Sequence, residues 1–156
     1  FDPNLRKPLW KSLEDAKTQM VWGLQQADVV KISDEEVEFL WGLGVKEGAR
    51  YILDNFGVKL VFVTCGADGC YFENGVASGK EPSLKNIQVK DTTGAGDIFG
   101  GSAVWKLLQI GKAPETLTED EMREVVRFAC TAAGLSTTRS GGISSVPEYA
   151  EVMARL

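Results

Sequence analysis

The chain has 156 residues, 44% of them hydrophobic, and a net charge of −5. That is enough for one globular core, and the charge excludes nucleic acid or an anionic membrane surface as a main partner. The absence of histidine removes Ser-His-Asp and Cys-His nucleophile systems, His-based zinc sites and the His-Arg-Asp loop of protein kinases.

In chain order, Phe1-Asp2-Pro3-Asn4 reads as the tail of a strand, and Pro8 suits a helix start. Trp10, Leu13, the stem of Lys17, Met20, Val21 and Leu24 recur at helical spacing as one apolar face. Val29–Ile32 predicts a short buried strand, followed by helices at about Asp34–Leu43 and Val45–Phe56, the second closed by Gly57. Leu60–Thr64 is a continuous strand rich in β-branched residues, and Cys70–Glu73 and Val76–Ser78 flank Asn74-Gly75 as a predicted hairpin. Ile87–Val89 is read as a further strand leading into a glycine-rich segment. After it, Ile98–Ile110 is apolar on nearly every side, which predicts a buried helix. Thr118-x-x-Glu121 is a capping box opening a helix to about Thr137; a Ser140-Gly141-Gly142 loop and a terminal helix from Pro147 complete the chain.

Strands alternating with helices predict an α/β domain with a parallel sheet covered on both faces. Ligands in such sheets bind beyond the carboxyl ends of the strands, where Thr64-Cys65-Gly66 and the Asp91 segment are expected to converge. Cys65, Cys70 and Cys130 lie in apolar segments, which favours buried reduced thiols in a cytoplasmic protein over zinc. No run approaches membrane-spanning length and no signal-peptide pattern opens the sequence.

The most informative stretch is Asp91-Thr92-Thr93-Gly94-Ala95-Gly96-Asp97, set directly before the apolar helix. A helix N-terminus carries free N–H donors and partial positive charge, and small residues let an anion approach them closely. With a carboxylate alongside, the arrangement suits phosphoryl transfer to a hydroxyl, Asp97 accepting the hydroxyl's proton while Gly94, Ala95 and Gly96 offer amides to the developing charge. An ordinary helix-capping loop is the competing reading, but closely spaced glycines are entropically costly unless positive φ or close approach is required. Walker A is absent, since no glycine precedes Lys-Ser or Lys-Thr. The dinucleotide fingerprint fails because Phe99 stands where its third glycine belongs.

Asp91–Asp97, continued by Ile98-Phe99-Gly100-Gly101, closely resembles the second signature of the PfkB/ribokinase family of carbohydrate kinases. Three more stretches agree in order and spacing. Phe1–Trp10 is similar to the mid-domain strand and turn of the fructokinase branch, and Lys31-Ile32-Ser33-Asp34-Glu35-Glu36 to its version of the family Asn-x-x-Glu motif, with Ser33 in place of Asn. Val63-Thr64-Cys65-Gly66-Ala67-Asp68-Gly69 resembles the turn that faces the nucleotide. The resemblance implies a ribokinase-like three-layer α/β/α fold with a mostly parallel sheet. It also implies that residues 1–156 are the C-terminal nucleotide-binding and catalytic portion, without the sugar-binding half and lid.

The resemblance further implies ATP-dependent phosphorylation of a sugar, D-fructose first, with ribose, 2-keto-3-deoxygluconate or a non-catalytic nucleotide-binding role as alternatives. Thr64, Gly66, Gly69, Arg6, Cys130 and Ala133 are the implied nucleotide contacts, with Phe128, Ala132 and Leu135 extending an apolar wall that also serves the core. Arg6 is equally well read as a surface or salt-bridged residue. Glu36 is the implied organiser of Mg²⁺, although Ser33-x-x-Glu36 is itself a capping box. Asp91, Thr93, Ser136, Arg139, Gly141 and Ser145 are the implied oxygen donors to a monovalent cation, K⁺. ATP and a small sugar are the expected partners, and a homodimer is compatible with the family.

Overall fold

In the computed structural model, which describes residues 1–156, four strands pair in the order β1-β2-β3-β4: β1 Val29–Ser33, β2 Leu60–Thr64, β3 Cys70–Glu73 and β4 Ser78–Glu81. β1 and β2 run parallel, with Lys31 opposite Phe62, whereas β2–β3 and β3–β4 are antiparallel, so the sheet is mixed. The reversal follows from turn chemistry at Gly69. Its φ of +91° suits glycine, and a Cβ there would lie 2.0 Å from the carbonyl oxygen of Glu81. Phe1 extends the sheet beside β1: its terminal amine donates to the Val29 carbonyl and its own carbonyl accepts the N–H of Lys31.

The hairpin differs in register from the expected two-residue Asn74-Gly75 turn. Glu73 pairs with Ser78, leaving residues 74–77 as the connection. The buried Asn74 side chain accepts the N–H groups of Val76 and Ala77 and donates to the carbonyls of Pro114 and Leu117. Those bonds favour a longer turn anchored to the rest of the domain. The expected strand at Ile87–Val89 is absent; residues 82–94 have no helix or strand and cross from β4 to the next helix.

Six helices complete the domain: α1 Leu13–Leu24, α2 Asp34–Trp41, α3 Val45–Phe56, α4 Ala95–Ile110, α5 Glu119–Ser136 and α6 Tyr149–Met153. Side chains alternate across the strands and divide the core into two layers. Val30, Ile32, Val61, Val63 and Tyr71 pack with α1, α2 and α3, while Leu60, Phe62, Cys70 and Phe72 pack with α4 and α5. Each large side chain so buried contributes roughly 1.5–3 kcal/mol of transfer free energy.

Two apolar faces are corrected by the structure. α1 starts at Leu13, capped by Ser12, and buries Ala16, Met20, Gly23 and Leu24; Trp10 lies outside it and Leu13 is exposed. α4 is not buried all round. It buries Phe99 and Ala103 but exposes Val104, Trp105 and Leu108, the last 73% accessible. No helix is long and apolar enough to cross a membrane.

Candidate active site

Gly94 caps α4 in the left-handed region at φ +78°, and no side chain caps the helix. The Ala95 amide turns back to the Thr92 carbonyl at 3.2 Å, so Ala95 is the exception to the expected donor set. The N–H groups of Gly94, Gly96 and Asp97 have no hydrogen-bond acceptor within the chain. A Cβ on Gly94 would approach the Gly142 Cα to 3.3 Å, so the cap also needs its glycine for close packing against the later loop. Asp97 lies in the first turn of α4, exposed, with a carboxylate in no ion pair or hydrogen bond of the chain.

Two cavities flank this helix end. One, of 480 Å³, is bounded by the turn after β2, the crossing segment, the start of α4 and the inner side of α5. Thr64, Gly66, Gly69, Cys130 and Ala133 meet here with Ala95 and Gly96, so five of the six sequence-predicted nucleotide residues share one hollow. Burial pushes the Cys130 thiol up to about 12, leaving it a protonated, apolar wall at neutral pH. Arg6 lines neither cavity; it is exposed at the start of a 3₁₀ turn and forms no ion pair. Gly134, Leu84 and Ile87 also line the hollow and were missed, the last two because a segment without secondary structure leaves no periodicity to read.

The second cavity, of 640 Å³, lies between α4, α5, α6 and the loop after α5, with Gly94 and Asp97 at its edge. Phe128 and Ala132 face this side, while Cys130 and Ala133 face the other. The single wall expected from these residues is therefore divided between two faces of α5. Leu135 belongs to the small core cluster of Phe128, Ala132 and Val152.

Asp91 joins the crossing segment to the loop after α5. One carboxylate oxygen accepts the Thr93 N–H and the other the Gly141 N–H, each at 2.9 Å. The bonds from Gly141 and Thr93 hold the Asp91 carboxyl down at about 2. Lys90 and Asp91 also donate their amides to the Thr137 carbonyl at 2.7 and 3.1 Å. Thr93 and Gly141 thus stand together with Asp91. The carbonyls of Arg139 and Gly141 accept no hydrogen bond within the chain, whereas that of Ser136 accepts the Arg139 amide at 3.1 Å. The Arg139 side chain pairs with Glu151, and buried Ser145 donates its hydroxyl to the Gly142 carbonyl at 2.8 Å.

Glu36 forms the capping box its spacing predicted. It is buried, one carboxylate oxygen accepting the Ser33 amide at 2.9 Å and the other the Leu5 amide at 2.6 Å. It thereby ties the segment after Phe1 to the end of β1. No group of three or more His, Cys, Asp or Glu side chains is placed to hold a metal.

The three-layer α/β domain thus brings an uncapped glycine helix start, a free carboxylate and an adjoining hollow together. Residues 1–149 match the family described as pfkB family carbohydrate kinase, and the chain belongs to that family. It is 39% identical over 155 residues to Fructokinase-1 of Zea mays, covering 98% of this chain and 47% of the relative. It is 38% identical to Fructokinase-2 of Solanum lycopersicum over its whole length and 47% of the relative. The chain thus spans about half the length of the curated relatives it matches. A fructokinase double mutant from Vibrio cholerae O395, solved in a fructose, ADP and potassium ion bound form, superposes with a TM-score of 0.87 at 32% identity. That superposition covers 100% of this chain and 49% of the other. A fructokinase with bound ATP from Xylella fastidiosa gives the same TM-score at 28% identity, over 99% of this chain and 50% of the other.

Proposed function

We propose that these residues form the nucleotide-binding and catalytic part of an ATP-dependent fructokinase, in which D-fructose and MgATP give fructose 6-phosphate and ADP. The observation that carries the reading is the free Asp97 carboxylate set beside the unpartnered amides of Gly94, Gly96 and Asp97. Fructokinase relatives and fructokinase structures with sugar and nucleotide support the choice of substrate.

The nucleotide lies in the 480 Å³ hollow, its base against Cys130 and Ala133 and its phosphates toward Gly96. Asp97 accepts the proton of the attacking sugar hydroxyl, and the free amides stabilise negative charge on the transferred phosphoryl group. Holding both substrates in line supplies most of the rate, with no covalent intermediate. Mg²⁺ would be held chiefly by the nucleotide phosphates and would neutralise their charge; Glu36, whose two oxygens already accept the Ser33 and Leu5 amides, would face its waters rather than ligate it. The uncommitted carbonyls of Arg139 and Gly141, with Asp91 nearby, suit a hard monovalent cation such as K⁺.

The test is Asp97→Asn in the enzyme carrying this segment together with its sugar-binding half. The expected result is a loss of turnover of about 10²–10⁴-fold, with nucleotide binding retained. Undiminished phosphorylation by a folded variant removes Asp97 as the base. A panel of fructose, ribose and 2-keto-3-deoxygluconate fixes the acceptor, and preference for either of the latter two overturns the fructose assignment.

A further inference from the structure

We propose that Lys31, held by Asp2, is a phosphate-contacting residue of the reaction, its ammonium serving the terminal phosphoryl group beside Gly96. The assignment rests on the functional reading above and adds to it a cation supplied by the sheet.

Lys31 lies in β1 opposite Phe62, on the sheet face that α4 and α5 cover. Its side chain is only 12% exposed, and its Nζ meets both carboxylate oxygens of Asp2, at 3.1 and 3.3 Å. An ammonium has three N–H donors, and Asp2 accounts for at most two of them. No other acceptor in the chain reaches Nζ, so a donor remains in a largely enclosed position.

A Cβ placed on Gly96 would lie 3.1 Å from Nζ, tighter than a carbon comfortably tolerates. Glycine at position 96 therefore has a second use besides exposing its amide: it leaves room for this ammonium at the mouth of the helix. The other charges around Asp2 are Glu36 and Asp97, both carboxylates. A highly anionic triphosphate entering here would face an excess of negative side chains balanced only by helix amides and Lys31. Asp2, half-enclosed and tied to Lys31 through two oxygens, fixes where the cation stands. The sequence motif carried Lys31 only as the residue leading into Ser33-x-x-Glu36, and nothing in its spacing marks it as a ligand.

The test compares Lys31→Met, Lys31→Arg and the double variant Asp2→Asn/Lys31→Met with the parent enzyme. Lys31→Met is expected to lower kcat about a hundredfold with little change in the fructose KM. It should weaken a non-transferable ATP analogue while leaving ADP binding unchanged, because only the terminal phosphate meets the ammonium. Lys31→Arg is expected to recover part of the turnover. The double variant removes both charges together and keeps the assignment testable if an unpaired Asp2 unfolds the single variant. Full turnover by either folded methionine variant, or equal weakening of ATP analogue and ADP, overturns the assignment. A parent enzyme that phosphorylates no sugar overturns the functional reading itself.

Discussion

The Asp91 carboxylate accepts the main-chain N–H of Gly141 at 2.9 Å, joining two segments 50 residues apart. Its other oxygen accepts Thr93, so one side chain holds both the approach to α4 and the loop that packs Gly142 against Gly94. Asp91→Ala is expected to release that loop, seen as faster hydrogen exchange at Gly141 and weaker nucleotide binding. Asp91→Asn keeps one acceptor oxygen and is expected to fall between the two. Unchanged protection of Gly141 in the alanine variant contradicts this coupling.

The same contact predicts a pH dependence whose sign is fixed. The folded carboxyl is held at about 2, below its ordinary 3.8, by N–H groups that bind the ionised form better. Its contribution is therefore present in full above the unfolded value and fades as pH falls through about 2. Between those limits the Gly141 and Thr93 amide resonances should shift together with the Asp91 carboxyl carbon. A midpoint near the ordinary value shows that the two bonds do not form in solution.

Gly69 sets the turn that faces the 480 Å³ hollow. With φ at +91° and the Glu81 carbonyl 2.0 Å from any added Cβ, alanine must either strain the backbone or push β4 away. The expected loss is roughly 2–4 kcal/mol in denaturant unfolding. Nucleotide affinity should fall as well, because Gly66 and Thr64 lie on the same turn. Gly100→Ala is the control: its added Cβ meets nothing within 4 Å, and helix propensity favours alanine. A loss of equal size in the control removes the turn-specific explanation.

Local chemistry made much of this architecture readable in advance. Gly57 ends α3 in the left-handed region, and Thr118 with Glu121 opens α5, both as capping rules require. β2 runs from Leu60 to Thr64 because β-branched Val61, Val63 and Thr64 and aromatic Phe62 favour a buried extended strand. The helix start at Gly94 and Asp97 was legible because a small residue at the cap and an acid in the first turn both suit one. Distant partners were not legible. Nothing near Asn74 in sequence reveals the Pro114 and Leu117 carbonyls that lengthen its turn. Nor does the composition of α4 reveal which of its apolar sides the sheet leaves uncovered. The Lys31–Asp2 pair likewise depends on how the segment after Phe1 lies beside β1.

That uncovered side gives a last prediction. Ala103 faces the core at 2% exposure, whereas Leu108 on the same helix is 73% exposed and Val104 and Trp105 are also open to solvent. Apolar groups on both sides of one helix exceed what the sheet alone can bury. Leu108→Lys should leave the unfolding free energy of this 156-residue chain within about 0.5 kcal/mol of its parent, because the side chain loses few contacts. It should also reduce binding of a hydrophobic dye and self-association in sedimentation. Ala103→Lys places a charge into the layer with Phe62 and Phe99 and should prevent folding. If Leu108→Lys destabilises the chain as severely as Ala103→Lys, the outer side of α4 is buried in solution and the two-sided description of that helix is wrong.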